Sequence, residues 1–328
     1  MSFLNDAMTR ARALANAVRY DTPPNPWVGA VLVDPATGAA VGEGATQPPG
    51  SAHAEVMAIA AAGELARGAT LVVTLEPCSH TGRTGPCVEA IIAAGIARVV
   101  VAIEDPDERV AGQGIARLRE AGIDVTLGLG ADAVLDDLRS YLYHRRTGRP
   151  YVVAKVAATL DGAVAMADGS SQWITGPEAR YDGHLIRAAS QAIIVGAGTV
   201  RSDDPTLTAR LHDRVLAPRR IVLGHAPGGA KVHPCEEFSG ELADLLDQLG
   251  SEGILQVLIE GGPRVVSNAL EAGLVQRVAW YVAPALAGLS TSAPALASLQ
   301  TETISALRRG RFVAVTRLGE DVRLDVEV

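Results

Sequence analysis

His53-Ala-Glu55, Thr74-Leu-Glu-Pro-Cys78 and Pro86-Cys87 are the segments from which the rest of the chain can be read. One imidazole and two thiols offer Zn²⁺ three protein ligands, His53, Cys78 and Cys87. They leave the fourth position open for water, as catalytic zinc sites do. Glu55 lies two residues past the histidine and need not be a ligand. It is spaced to take a proton from water and hand it to a leaving group. Cysteines in a long chain can simply be small buried hydrophobes. Here two of the three cysteines stand at 78 and 87, downstream of His-x-Glu. They flank Ser79-His-Thr-Gly-Arg-Thr-Gly-Pro86, a loop composition that suits no core strand. His80 is a spare histidine in that loop, read as a loop or substrate contact.

Working outward, residues 53–66 are predicted to be a helix that His53 opens, 69–75 a strand, and 88–94 the next helix. The ligands then stand at helix N-termini, where the dipole favours thiolate and hydroxide. Upstream, Leu4, Ala7, Met8, Ala11, Leu14, Ala15 and Val18 recur at helical spacing. That helix must end before Thr22-Pro-Pro-Asn25-Pro26. The Asn25 amide both donates and accepts, which suits a pyrimidine edge, although an ordinary turn asparagine is the plainer alternative. Residues 27–34 and 40–44 read as a hairpin around Asp34-Pro-Ala-Thr-Gly38. A strand over 98–104, a helix near 114–121, a strand over 123–127 and one continuous helix over 131–146 complete an αβα layered domain. The polar break Arg145-Arg-Thr-Gly-Arg-Pro150 marks the boundary, dividing the chain into 1–147 and 148–328.

The second half opens with Tyr151-Val-Val-Ala-Lys155-Val-Ala, a strand running into Asp161-Gly162. Lys155 interrupts an apolar run, and Lys155 and Lys231 are the only lysines in an arginine-rich chain. A buried ammonium needs a partner or a ligand; a snorkelling edge-strand lysine is the alternative. Residues 177–190 read as a helix with Arg187 near its end. A strand from 191 feeds Gly196-Ala-Gly198, read as a glycine turn; Arg201 stands where a dinucleotide fingerprint needs its third glycine. Residues 256–260 are a buried strand ending in Gly261-Gly262-Pro263 and a helix, whose N-terminus is a candidate phosphate site. Strands over 278–282, 311–317 and 321–328 close the sheet.

Composition bounds these readings. The 328 residues suit one large or two ordinary domains, and 48% hydrophobic with 4% aromatic content demands an aliphatic core. Alternating helix and strand patterns give an α/β protein. The net charge of −8, shared by both halves, excludes a general nucleic-acid binder. The start has neither a basic region nor a long apolar run, so no signal peptide is expected. No apolar stretch reaches membrane-spanning length. Few cysteines, two of them ligand candidates, suit a reducing cytoplasm.

His-x-Glu, Pro-Cys and a second cysteine form the layout of zinc deaminases, whose common form spaces the cysteines more closely. Thr22-Pro-Pro-Asn-Pro-Trp-Val-Gly29, His53-Ala-Glu55 and Thr74-Leu-Glu-Pro-Cys-Ser-His80 through Cys87 resemble the deaminase half of the bifunctional riboflavin-biosynthesis deaminase/reductases, which accept the wide spacing. Asp105-Pro106, Gly112-x-Gly114 and Ala121-Gly-Ile-x-Val125 also match; Gly85 stands where a second proline is usual. Lys155-x-Ala-x-x-Leu-Asp-Gly162, Ser171-Gln-Trp-Ile-Thr175, Gly198-Thr199, Asp203-Asp-Pro-x-Leu-Thr-x-Arg210 and Glu260-Gly-Gly262 resemble the reductase half. Together the two resemblances span nearly the whole chain.

The resemblance implies a cytidine-deaminase-like αβα domain followed by a dihydrofolate-reductase-like domain. It implies Zn²⁺ and NADPH, with a small pyrimidine ribose phosphate as substrate and a homo-oligomer, a dimer or tetramer. Glu55 would be catalytic and His53, Cys78 and Cys87 the metal ligands. Ala157, Trp173, Thr199, Asp203 and Gly262 would hold the cofactor. Asn25, Arg83, Lys155, Ser171, Arg187, Leu207, Arg210 and Glu260 would contact substrate, and Arg187 with Arg210 suits a clamp for a ribose 5-phosphate. Gly224 stands where the family usually has aspartate. The following stretch is short and rich in Gly and Pro, so a peripheral strand beside the NADPH site is expected to be missing; Cys235 there is read as a bystander. The implied reactions are hydrolytic deamination of 2,5-diamino-6-ribosylamino-4(3H)-pyrimidinone 5′-phosphate, then reduction of the ribosyl group to ribityl by NADPH. Two rivals stand beside this: a deaminase of a nucleoside or nucleic-acid base, and a deaminase whose second domain binds NADPH without turnover.

Overall fold

The structure, a computed structural model, describes all residues except 1, 81–84, 108, 109, 289, 291, 298 and 300. The chain forms two compact units, Met1–Gly148 and Arg149–Val328. No described helix is long and apolar enough to cross a membrane.

The first unit runs α1 (Ser2–Val18), β1 (Gly29–Val33), β2 (Ala40–Ala45), α2 (Ala54–Ala62), β3 (Thr70–Leu75), α3 (Cys87–Ala93), β4 (Arg98–Ile103), α4 (Gln113–Glu120), β5 (Asp124–Leu127), α5 (Ala131–Asp137) and α6 (Arg139–Thr147). Its five strands lie in the order β2-β1-β3-β4-β5. The hairpin β1–β2 is antiparallel, β1 is antiparallel to β3, and β3, β4 and β5 are parallel. All six residues of β3 are buried, as suits a central strand covered on both faces. Ala7, Met8, Ala11 and Ala15 bury the inner face of α1. The helix expected over 131–146 is broken at Leu138, whose φ of −96° and ψ of 10° leave the helical region. The break lets Leu138, Tyr141 and Leu142 all reach the core.

The second unit runs β6 (Tyr151–Thr159), β7 (Ala163–Ala165), α7 (Pro177–Ala189), β8 (Ala192–Gly196), α8 (Ala197–Asp203), β9 (Ala209–Arg210), β10 (Val215–Leu216), β11 (Arg219–Leu223), β12 (Glu236–Phe238), α9 (Leu242–Ser251), β13 (Gln256–Ile259), α10 (Pro263–Glu271), β14 (Arg277–Ala283), β15 (Ala293–Pro294), β16 (Arg311–Leu318) and β17 (Asp321–Glu327). Eight strands form one sheet, β12-β11-β8-β13-β6-β14-β17-β16. It is parallel from β12 to β14, and β17 and β16 add antiparallel. Val152, Ala154, Ile194, Val257 and Ile259 from the strands pack with Leu246 and Leu249 of α9 in an aliphatic core.

Two expectations change here. Gly196-Ala-Gly198 makes no turn: Gly196 is extended, ends β8 and caps α8 directly. Nor is the peripheral strand missing. β12 pairs in parallel with β11, from Ile221↔Glu236 to Leu223↔Phe238. The Gly224 N–H donates to the Phe238 carbonyl at 2.8 Å. Gly224 adopts φ +94°, a backbone that glycine takes without strain and aspartate does not. The glycine therefore lets a shortened loop return a three-residue strand to the sheet edge.

Candidate active sites

In the first unit the turn after β3 and the starts of α2 and α3 meet. His53 caps α2 with an extended backbone, Glu55 lies in that helix's first turn, and Cys87 is the first residue of α3. Cys78 sits in the turn between β3 and α3. Its carbonyl accepts the Val88 N–H at 3.2 Å and its Sγ accepts the Cys87 N–H at 3.4 Å. His53 Nδ1 lies 3.5 Å from Cys78 Sγ and 3.2 Å from Cys87 Sγ, and the three donor atoms lie within 4.8 Å of one another. Tetrahedral zinc with bonds of about 2.0–2.3 Å needs donors separated by roughly 3.3–3.8 Å. Two thiols and an imidazole in this arrangement therefore fit Zn²⁺.

The electrostatics agree with that fit. The Cys78 thiol is pulled down to about 4, chiefly by a hydrogen bond from Cys87, with help from His53 and against burial. The His53 imidazole is raised, first by its hydrogen bond to Cys78. Cys87 is pushed up by the same Cys78 contact and by burial, so without a cation it is the member of the pair that keeps its proton. A bound divalent cation reverses that balance by ionising the thiol it ligates. The Glu55 carboxyl is buried, and burial first and the Cys78 charge second raise it to about 7.

His53, Glu55 and Cys78 line a cavity of about 330 Å³, with Cys87 buried behind them. Asn25 and His80 line it, as do Asp105, Tyr141 and Arg145. The Tyr141 hydroxyl donates to both Asp105 oxygens, at 3.0 and 3.2 Å. Arg145 lies over the Tyr141 ring, 5.1 Å from its centroid, and its Nη2 donates to the Pro24 carbonyl at 3.4 Å. Arg83 lies outside the described residues. The sequence shows Asp105 and Arg145 without a role at the site, Arg145 standing in the polar break between the halves, and gives Tyr141 none. The available signal was the spacing of Tyr141 and Arg145: an aromatic and a cation four residues apart share one helix face.

In the second unit a cleft of about 770 Å³ opens beside the C-terminal ends of β6, β8 and β13, the usual place for ligands on parallel sheets. Lys155 comes from β6, Glu260 directly follows β13, and Arg187 comes from α7. Arg187 donates Nε and Nη2 to the two Glu260 oxygens at 2.6 and 2.8 Å, and Nη1 to the Thr208 carbonyl at 3.1 Å. Lys155 Nζ stands 3.5 Å from Glu260 Oε1 and 5.7 Å from the centre of the Tyr281 ring. Burial pushes the Glu260 carboxyl up, but Arg187 and Lys155 outweigh it and hold it down at about 2.

The Arg187 geometry departs from the phosphate clamp expected for it. A buried carboxylate needs charged, bidentate satisfaction, and Glu260 takes the fork for itself. Arg210 is exposed, and its Nη1 donates to the Thr206 and Thr208 hydroxyls at 3.3 Å each. Leu207 is buried with φ +52°, a strained backbone for a leucine that marks a built loop. Ser171 Oγ donates to Asp203 Oδ1 at 3.3 Å. Ala157 lines the cleft two residues along β6 from Lys155, on the same strand face. Trp173 is 68% exposed at the cleft, with the Arg180 guanidinium 4.7 Å from its ring centre. Thr199 in α8 faces Gly262, the N-cap of α10. A Cβ on Gly262 would come within 3.0 Å of the Thr199 hydroxyl. The bare backbone therefore leaves a cradle at a helix N-terminus, which suits a dinucleotide phosphate. His184, which sequence reading missed, also lines the cleft, its Nδ1 3.2 Å from the Thr208 carbonyl.

Residues 1–103 match the family described as the cytidine and deoxycytidylate deaminase zinc-binding region, and residues 150–324 match the RibD C-terminal domain family. The riboflavin biosynthesis protein RibD of Escherichia coli K12 is 41% identical over 97% of both chains. That of Mycobacterium tuberculosis H37Rv is 42% identical over 98% of this chain and 97% of its own. This chain belongs to the RibD family. A solved RibD structure from Acinetobacter baumannii superposes with a TM-score of 0.92 at 38% identity over 99% of each chain. A Thermotoga maritima structure superposes with 0.91 at 30% identity, again over 99% of each. The latter protein is named a diaminohydroxyphosphoribosylaminopyrimidine deaminase and 5-amino-6-(5-phosphoribosylamino)uracil reductase.

Membership fixes the fold of each unit, cytidine-deaminase-like first and dihydrofolate-reductase-like second. The chain is a bifunctional enzyme of riboflavin biosynthesis, a zinc deaminase and an NADPH-dependent reductase.

Proposed function

We propose that this RibD-family chain deaminates 2,5-diamino-6-ribosylamino-4(3H)-pyrimidinone 5′-phosphate in residues 1–147. In residues 148–328 it would reduce the ribosyl group of the resulting 5-amino-6-(5-phosphoribosylamino)uracil to ribityl. The observation that carries the reading is the meeting of His53, Cys78 and Cys87 within 4.8 Å of one another, with His53, Cys78 and a buried Glu55 lining one cavity. Zinc, when bound there, supplies the Lewis acidity that makes water nucleophilic near neutral pH. Glu55 accepts a proton and returns it to the departing amine. The Asn25 amide reads the pyrimidine edge from the proline-rich loop, and Arg83 is assigned to the substrate.

In the second unit NADPH supplies the hydride. Ala157, Trp173, Thr199, Asp203 and Gly262 are assigned to the cofactor side of the cleft. Lys155, Ser171, Leu207, Arg210 and Glu260 are assigned to the substrate side, with Arg210 as the phosphate contact. Arg187 serves that side through Glu260, whose charge it fixes next to Lys155. No nucleic-acid partner is proposed, and the place of work is the cytoplasm. A homo-oligomer, dimer or tetramer, is supported by β16, the sheet's edge strand, which leaves Phe312 and Val315 about two-thirds exposed. Native proteins usually cover such an edge. Sedimentation as a monomer at micromolar concentration would remove the oligomer.

Feeding the zinc-loaded chain the diaminopyrimidinone phosphate with NADPH tests the main reading. Ammonia should appear first and NADPH absorbance should fall after it, one for one. Faster ammonia release from cytidine would move the substrate to the nucleosides. Ammonia release without NADPH consumption would remove the second step.

A further inference from the structure

Glu76 directly follows β3 and stands two residues before the ligand Cys78. Its side chain is buried, 4% exposed, and a carboxylate there is costly unless hydrogen-bonded. Backbone N–H groups from one segment satisfy it. Oε2 accepts from Asp105 at 3.2 Å and from Gly112 at 3.0 Å, and Oε1 accepts from Ile115 at 3.1 Å. Gly112 is the N-cap of α4 and Ile115 its third residue. The carboxylate therefore caps that helix from another part of the chain, where a negative charge is favoured. A second contact fixes the same pair of segments. A Cβ on Gly114 would lie 2.0 Å from the Pro77 carbonyl oxygen, so α4 begins directly against the backbone next to Cys78.

The clamped segment forms part of the cavity wall. Asp105 and Val110 line the cavity that holds His53, Glu55 and Cys78, and Asp105 carries the carboxylate that Tyr141 grips. Glu76-Pro77-Cys78 thus does two jobs: Cys78 faces the metal position, and the two residues before it set where the wall stands. A substrate aligned between wall and metal loses rate or affinity when the wall moves by a fraction of an ångström.

We propose that Glu76 is a positioning residue of the deamination pocket, holding the wall that carries Asp105 in register with the zinc-ligand turn. The proposal rests on the functional reading above for its substrate. Glutamine has the same shape but one acceptor oxygen, and its NH₂ group opposes whichever N–H groups it meets. Glu76→Gln therefore releases one side of the clamp without emptying the space. Gly114→Ala keeps the Glu76 carboxylate but pushes α4 off Pro77, and its Cβ also presses on Glu76, 3.1 Å from Oε1 and 3.3 Å from Cγ.

Hydrogen exchange, zinc content and steady-state kinetics of the full-length chain test the idea. Both variants should keep about one zinc per chain, following the three-ligand rule. Amides of Asp105, Gly112 and Ile115 should exchange at least about tenfold faster, the scale of one charged hydrogen bond. KM for the diaminopyrimidinone phosphate should rise by about tenfold with kcat changed less, the signature of lost ground-state placement. Reduction of the deaminated substrate should be unchanged. Unaltered exchange would overturn the clamp whether or not this substrate is turned over, so that failure is separate from failure of the functional reading. Loss of zinc, or a fall in kcat at constant KM, would overturn the wall and make Glu76 a support for the metal or the chemistry. If Glu76→Gln is insoluble, Gly114→Ala decides by the same readouts.

Discussion

Replacing Glu260 by glutamine probes the charge cluster of the reductase cleft. The carboxylate normally titrates at 4.5 and is held at about 2 between Arg187 and Lys155. That difference corresponds to about 3 kcal/mol favouring the ionised, folded form. Removing one partner of a buried pair costs about 3–5 kcal/mol, the same scale. Because the folded value is the lower one, the contribution is complete above pH 4.5 and is lost as pH falls toward 2. Amide exchange of Val257, Leu258 and Ile259 in β13 reports on this unit alone. At neutral pH, Glu260→Gln should cost these amides about a hundredfold in protection, the equivalent of that energy. The gap between variant and parent should be flat from pH 8 to pH 5 and shrink below pH 4. No gap at neutral pH, or a gap already closing between pH 8 and pH 5, would refute the ion-pair account. KM for the deaminated substrate should rise as well, because Lys155 loses the anion that orients it.

Cys78→Ser should leave the chain without zinc and without deamination, while NADPH oxidation with pre-deaminated substrate survives; metal analysis beside both assays checks this. Glu55→Gln should retain zinc and lose about a hundredfold or more in deamination turnover, the scale of general acid–base catalysis; loss of zinc would instead make Glu55 a ligand. Arg210→Ala should weaken the phosphorylated reductase substrate about tenfold, the value of one charge-assisted contact, and leave NADPH affinity unchanged in a titration. Arg187→Ala should differ from it by destabilising the second unit, because it strands Glu260 without its bidentate partner.

The zinc site was legible because its parts are local in sequence and chemically restricted. A histidine opening one helix and a cysteine opening the next are placed by strand–turn–helix logic, and only Cys78 depends on a turn. The strands that carry Lys155 and precede Glu260 were legible for the same reason, as apolar runs with one charged residue, inside the first and directly after the second. Three-dimensional partnerships were not. Nothing in the spacing of Arg187 and Glu260, 73 positions apart, shows that they meet bidentately. The clamp by Glu76 was hidden for a similar reason, since its three donors are backbone groups with no side-chain signature. The stretch after Gly224 misled because a three-residue edge strand such as β12 is too short to carry a period.

Glu55 is a buried carboxylate and Glu260 a part-buried one, its side chain 14% exposed, and their surroundings drive them apart. Around Glu55, burial and the Cys78 charge act in the same direction and bring the carboxyl to about 7. Around Glu260, two cations overcome burial and bring it to about 2. A group near neutrality can both take and give a proton at working pH, which a shuttle requires. A group at about 2 can do neither, but it is a permanent anion that fixes Lys155 and Arg187. The same side chain thus serves proton transfer in one unit and orientation in the other, and the choice is made by the neighbours. Putting a cation beside Glu55 should therefore abolish its shuttle role without removing it. Ser51, which lines the same cavity, is the place to try. Ser51→Arg should slow deamination while zinc content and the reductase step stay at parent values, and Ser51→Gln should slow it less. If the two variants slow deamination equally, bulk and not charge is responsible, and the argument from Glu55's surroundings fails.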